Sequence, residues 1–195
     1  MKTLTILLLA AAMLSACGQR KSPEQQTEKD SVKAMKESMD HVPSSTVNFI
    51  TDAAITNIKE IRLGRLAKSK AADERIRRYG AMMEKDHSLA NQQLDSIAKL
   101  TGVTMPTELT GEDKKTEETL FTIKYTDFDK TYIKEMIAGH KKTLAMFENA
   151  KNSKDTAISR FAESMIPTLN KHLDEALTIL EDMRKQINKS NKSIQ

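Results

Sequence analysis

This chain is expected to fold as an all-α domain, an antiparallel up-down-up-down four-helix bundle, and three features of the sequence lead there. Apolar positions recur at alternating spacings of three and four, as in Ile76, Gly80, Met83, His87, Ala90, Leu94 and Ile97, while alternation of period two is scarce. The 195 residues include no Trp, 5 Phe, 3 Tyr, 6 Gly and 4 Pro, so few residues favour strands and few interrupt helices. Four long periodic segments are joined mostly by short polar breaks, and helices joined in that way pack as antiparallel neighbours.

The N-terminus is a separate matter. Residues 1–16 carry one positive charge at Lys2, an apolar run from about Leu4 to Leu14, and then small residues. This is the pattern of a secretory signal peptide, too short to span a membrane. Leu14-Ser15-Ala16-Cys17 resembles the lipobox of bacterial lipoproteins, in which the Cys is acylated and becomes the first mature residue. A buried structural Cys would not be expected directly after an apolar run and two small residues. Acyl chains would hold the protein on a membrane without spanning it. Gly18 stands where Asp signals inner-membrane retention in many bacteria, so the resemblance favours the outer membrane, facing the periplasm or the surface. Cys17 is the only Cys, which excludes disulfides within the chain. Residues 17–43 are polar and charged and read as a flexible tether, with His41 inside it. Residues 189–195 read as a frayed tail.

Residues 44–188 make one domain. Ser44 or Ser45, after Pro43, is expected to cap a first helix through Phe49, Ala53, Glu60, Leu63 and Ala67. Gly64, inside that helix, implies a close approach to a neighbour. Asp73 can cap a second helix that runs to about Leu100 and stops at Gly102. The stretch "VTMPTELTGEDKK" reads as a loop, followed by a short helix from about Thr116 to Ile123. Asp127 is expected to cap a third long helix with Tyr132, Ile133, Met136, His140, Leu144 and Phe147 on its inner face. Asp155, after the break "KNSKD", can cap a fourth, with Ile158, Phe161, Met165, His172, Ala176, Ile179 and Met183 inward. Pro167 removes one hydrogen bond from that helix and should kink it near His172.

Each long helix places one polar residue near its midpoint. Glu60, His87, His140 and His172 lie about fourteen to seventeen residues into their helices, and at about 1.5 Å of rise per residue they fall at one height. Three imidazoles and one carboxylate in a shared layer suit a single Zn, Cu or Fe ion. Glu84 precedes His87 by three residues, which is the Glu-x-x-His unit of di-metal bundles and makes Glu84 a further possible ligand. That unit occurs once only, since Ile137 and Leu169 hold the equivalent places before His140 and His172. Asp86 points a quarter turn from His87 and is expected to support the layer from behind or to cap. Asp129, near a helix start, is expected to act on the helix dipole. Met83, Met136 and Met165 lie within two turns of the histidines; thioethers suit Cu(I), and Met also fills gaps in an aromatic-poor core. The same polar layer could equally be satisfied without metal, as a His-Glu hydrogen-bond network.

The segments "FITDAAITNIKEIRLGRLA", "RYGAMMEKDHSLANQQL", "GVTMPTEL", "FDKTYIKEMIAGHKKTLAMFENA" and "FAESMIPTLNKHLDEA" together resemble the bacterial family called domain of unknown function 4142. The resemblance covers residues 46–180. It implies a ferritin-like bundle in an envelope protein, associated with the outer membrane, and it names no reaction. By position, the family's Glu falls on Glu60, its Asp-His on Asp86-His87, and its Phe-Asp on Phe128-Asp129. Its third-helix His falls on His140, and its Pro-x-Leu-x-x-His on Pro167 to His172.

Composition narrows the function further. The balance of 31 Lys and Arg against 27 Asp and Glu is mild and spread along the chain, so nucleic acid is not implied. There is no Gly-rich phosphate loop, no nucleophile in a triad context and no Cys-based site. Two classes remain open: an envelope lipoprotein that binds one transition metal, and a structural or partner-binding bundle whose His/Glu layer is metal-free. Whether the chain is an enzyme, which protein partner it meets and in what oligomeric state are not encoded in any motif; the membrane, through the lipid anchor, is the one partner implied.

Overall fold

The computed structural model describes residues 42–109 and 111–193, without the side chain of Thr126. The expected signal peptide, the acylated Cys17 and the tether through His41 lie outside these described residues, as do the last two residues of the tail. The described residues form five helices and no strand: α1 (Ser44–Lys70), α2 (Glu74–Thr101), α3 (Gly111–Thr122), α4 (Tyr125–Ala150) and α5 (Thr156–Lys192). None of them is long and apolar enough to cross a membrane.

Local chemistry explains most of the boundaries. Asp73 caps α2, its carboxylate accepting from the Arg75 N–H at 2.8 Å, and Asp155 caps α5, accepting from Ala157 and Ile158. Gly102 ends α2 in the left-handed region (φ 72°), a conformation open to glycine at little cost. Two expected caps are displaced. Pro43, not a serine, occupies the cap position of α1, its carbonyl accepting from the Val47 N–H at 3.2 Å with no side-chain cap, and Ser44 is already helical. Lys124 precedes α4, which opens at Tyr125, so Asp127 sits inside the first turn and acts on the dipole there. The short helix starts at Gly111, five residues before the expected Thr116, and carries Glu112 and Asp113 in its first turn. α5 passes through Pro167 as one helix and runs to Lys192, beyond the boundary expected at residue 188.

α1 packs closely on α2, and α4 on α5. The two pairs then meet along looser seams, α2 against α5 and α1 against α4, and α3 lies across α1 and α4. The close α1–α2 pairing rests on two glycines. A Cβ on Gly64 would sit 2.6 Å from the Gly80 carbonyl oxygen, and one on Gly80 would sit 2.7 Å from the Gly64 oxygen. The close approach implied by Gly64 is therefore real, and Gly80 is its other half.

The apolar core comes in two parts. One is built on Phe49, Ile50, Ala90, Leu94, Phe147, Phe161 and Leu169, with Phe49 and Phe147 edge to face at 5.2 Å. The other holds Leu63, Ile76, Tyr79, Met83, Phe128, Tyr132, Met136 and Ala176. Between them, at mid-height on every long helix, lie the buried polar residues Asn57, Glu60, His87, His140, Thr143 and His172. The core is thus interrupted once, by a polar layer.

Candidate metal centre

The three core histidines stand in a near-equilateral triangle. Ring centroids are 5.7 Å apart for His87 and His140, 5.5 Å for His87 and His172, and 5.4 Å for His140 and His172. One ring nitrogen from each lies within 4.8 Å of the other two. All three side chains are buried.

Each ring is held from behind by an acceptor. His87 Nδ1–H donates to Asn57 Oδ1 at 2.9 Å, His140 Nδ1–H to the Met136 carbonyl at 2.9 Å, and His172 Nε2–H to Asp86 Oδ2 at 3.0 Å. A carbonyl and a carboxylate can only accept, so the tautomers of His140 and His172 are set: the proton is on the rear nitrogen. Their front nitrogens, His140 Nε2 and His172 Nδ1, then face each other as two lone pairs at 3.3 Å. The front nitrogen of His87, Nε2, is buried and has no protein partner. Two lone pairs therefore converge, and with Asn57 Oδ1 taking the Nδ1 proton His87 Nε2 adds a third, an arrangement suited to an electrophile. Three nitrogens bound at about 2.0–2.1 Å to one tetrahedral ion sit about 3.3–3.4 Å from one another, which matches the His140–His172 separation. Rear hydrogen bonds to carboxylate and carbonyl are also the usual outer support of a metal-binding imidazole.

The electrostatics keep the rings neutral. Burial lowers His87 well below the usual imidazole value, and the neighbouring His140 and His172 add to the effect. Burial, then His172, lowers His140 to about 4. His172 is lowered by burial and partly restored by Asp86. Neutral imidazole is the form that ligates metal.

Of the other residues expected here, Asp86 supports the layer, although the ring it holds is His172 and not its neighbour His87. Glu60 is buried, but its carboxylate lies outside the group of converging nitrogens. The α1 residue that meets His87 is Asn57, one turn earlier, because the Gly64–Gly80 contact sets the register between α1 and α2. Glu60 instead lies toward α4, where Gly139 leaves room: a Cβ there would stand 3.3 Å from Glu60 Oε1. Its Oε2 has no partner, and burial raises its carboxyl to about 8, Lys59 opposing and Glu135 and Asp113 reinforcing. Glu84 faces away from the layer: Arg65 (2.8 Å) and Lys68 (2.6 Å) hold it on the outer surface, and the hydrogen bonds from Lys68 and Arg65 lower its pKa. The Glu-x-x-His spacing was thus a coincidence of a solvated ion pair beside a core histidine.

Two contributions had a weaker signal in the sequence. Asn57 is a polar residue on the same apolar stripe as Ala53 and Glu60, which is how it could have been found. Tyr79 donates its hydroxyl to the His172 carbonyl at 3.2 Å, while the buried Tyr132 hydroxyl has no partner. Burial first, and then Glu60, raises the pKa of both phenols, so both stay protonated.

Fold and site together define a class: a helical bundle whose apolar core is split by three buried histidines placed to take a metal ion. The chain belongs to the family described as domain of unknown function 4142, whose model matches residues 19–179. Its fold is similar to that of a solved DUF305 fragment from Deinococcus radiodurans, with a TM-score of 0.64 and 13% identity, over 72% of this chain and 97% of that one. No curated protein matches the chain in sequence.

Proposed function

We propose that this protein is a metal-binding lipoprotein of the bacterial envelope, an antiparallel up-down-up-down four-helix bundle of ferritin-like type. In this reading an acylated Cys17 anchors it to the outer membrane, residues 18–43 are the tether, and His87, His140 and His172 hold one transition-metal ion. The observation that carries the metal is the pair of imidazole lone pairs facing each other at 3.3 Å, each with its rear N–H already given to an acceptor. Antiparallel packing is supported by residue pairs that run in opposite directions along their helices. Asn57 meets His87 while Gly64 meets Gly80, and His140 meets His172 while Phe147 meets Phe161.

The donor set suits Zn, Cu or Fe. Bound there, such an ion would supply a Lewis acid in a dry site with a position left over from the three imidazoles. The protein's own part is to fix the tautomers through Asn57, Met136 and Asp86 and to keep water out with the two apolar half-cores. Glu60 enters this reading as an unpaired carboxyl in the same polar layer, one turn along α1 from Asn57.

The competing reading is a structural or partner-binding bundle with a metal-free network. It needs a donor to His140 Nε2 and His172 Nδ1, which a buried water supplies, or a protonated His87 Nε2 with the Asn57 amide turned to present its NH2 to Nδ1. Elemental analysis of the full chain, purified without a histidine tag, decides between them. About one equivalent of Zn, Cu or Fe is expected, and none, with no uptake of added metal, would leave the metal-free network. Fractionation of the Cys17→Ser variant tests the anchor, with loss from the membrane or blocked maturation expected.

A further inference from the structure

The three histidines are shut away from solvent, so an ion needs a way in. Four interhelical seams surround the layer. The α1–α2 seam is closed by backbone contact at Gly64 and Gly80, and outside it Arg65 and Lys68 clasp Glu84. The α4–α5 seam is closed by the interlocked rings of Phe147 and Phe161 and by the His140–His172 contact itself.

The two looser seams differ in what joins solvent to the layer. Over the α1–α4 seam lies Lys59, whose ammonium bridges Glu135 of α4 at 2.8 Å and Asp113 of α3 at 3.0 Å, with its side chain only 13% exposed. Lys59 and its two carboxylates are covered by α3, and none of the three is bonded to a histidine of the layer. On the α2–α5 seam the group in contact with the layer is Asp86. Its side chain is 24% exposed while its Oδ2 reaches Nε2 of His172, whose side chain is 1% exposed, so one carboxylate touches both solvent and the outer edge of a layer histidine. Glu175 adds negative potential at His172, against Lys171.

We propose that metal ions reach the histidine layer through the α2–α5 seam and that Asp86 is the carboxylate that receives them from solvent at the edge of the His172 ring, whose other nitrogen faces the site. This rests on the metal-binding reading above and adds the route. A receiving carboxylate raises the local concentration of cation and hence the association rate; a carboxylate that only holds His172 in place acts on dissociation.

The test is stopped-flow absorbance of Co²⁺ binding to the full chain, with circular dichroism to verify that each variant is folded. Asp86→Ala should lower the association rate constant about tenfold or more and flatten its dependence on ionic strength. Asp86→Glu should keep most of the rate, and Glu135→Gln, beside the opposite seam, should leave it unchanged. An unchanged association rate in Asp86→Ala with faster dissociation overturns the route and leaves Asp86 as a support for His172. A rate that responds to Glu135→Gln and not to Asp86→Ala moves the route to the α1–α4 seam. Absence of any Co²⁺ band in the unmodified chain, together with no metal on elemental analysis, defeats the metal-binding reading itself.

Discussion

Asp129, in the first turns of α4, accepts the backbone N–H of Asp73 at 2.7 Å and that of Ala72 at 3.1 Å. Asp73 is itself the cap of α2, so a carboxylate from a distant helix holds the turn between α1 and α2. The sequence position of Asp129 suggested a role at the start of its own helix; the fold uses it at the start of another. Asp129→Ala removes two part-buried hydrogen bonds to a charged acceptor and should cost about 2 kcal/mol. Urea denaturation measures it. A change within about 0.5 kcal/mol would mean that the turn is held by other means.

Gly64→Ala tests the helix contact that sets the layer's register. In an exposed helix interior this substitution stabilises by roughly 1 kcal/mol. Here the new Cβ would meet the Gly80 carbonyl at 2.6 Å, a backbone atom that cannot swing aside. The sign should reverse, with a loss of about 1–3 kcal/mol. A stabilised variant would show that α1 and α2 can separate freely.

Metal should raise the melting temperature by mass action, by the equivalent of about 2.7 kcal/mol at a hundredfold excess over the dissociation constant. His140→Ala should remove that increment. His41→Ala, in the expected tether, should keep it. Differential scanning calorimetry with and without Zn²⁺ reads both, and an increment that survives His140→Ala places the ion elsewhere.

The metal-free protein should lose stability on both sides of a maximum slightly acid of neutral. The histidines lie below their ordinary value of 6.5 when folded, His140 at about 4. The unfolded chain therefore takes up their protons first, and the stability they contribute is full above pH 6.5 and falls as pH drops toward 4. Glu60 has the opposite sign: its folded value of about 8 exceeds the ordinary 4.5. Its contribution is full below pH 4.5 and is lost as pH rises through 8. Each group changes stability by at most about 1.4 kcal/mol per pH unit. Glu60→Gln should abolish the decline above pH 6.5 and leave the acid limb. Urea midpoints from pH 4 to 9, in the presence of chelator, measure this, and an unaltered alkaline limb would show that Glu60 ionises freely in the folded protein.

Much of this protein could be read from residue order alone, because the signals are local. Periodicity of three and four marks the long helices, Asp73 and Asp155 cap their own N–H groups, and Gly102 ends α2 where only a left-handed residue fits. The common height of His87, His140 and His172 is also local arithmetic, since rise per residue is constant and the connections are short. What needed the tertiary structure is everything that depends on how one helix is rotated against the next. Glu60 and Asn57 are one turn apart on the same stripe, and only the Gly64–Gly80 contact decides that Asn57 meets His87 while Glu60 turns toward Gly139. Glu84 and Asp86 both lie just before the same histidine in sequence, yet one pairs with Arg65 and Lys68 of α1 and the other with His172 of α5. Sequence spacing sets which residues share a height on a helix; azimuth, and therefore the partner across each seam, is set by the packing of backbones that sequence neighbours do not share.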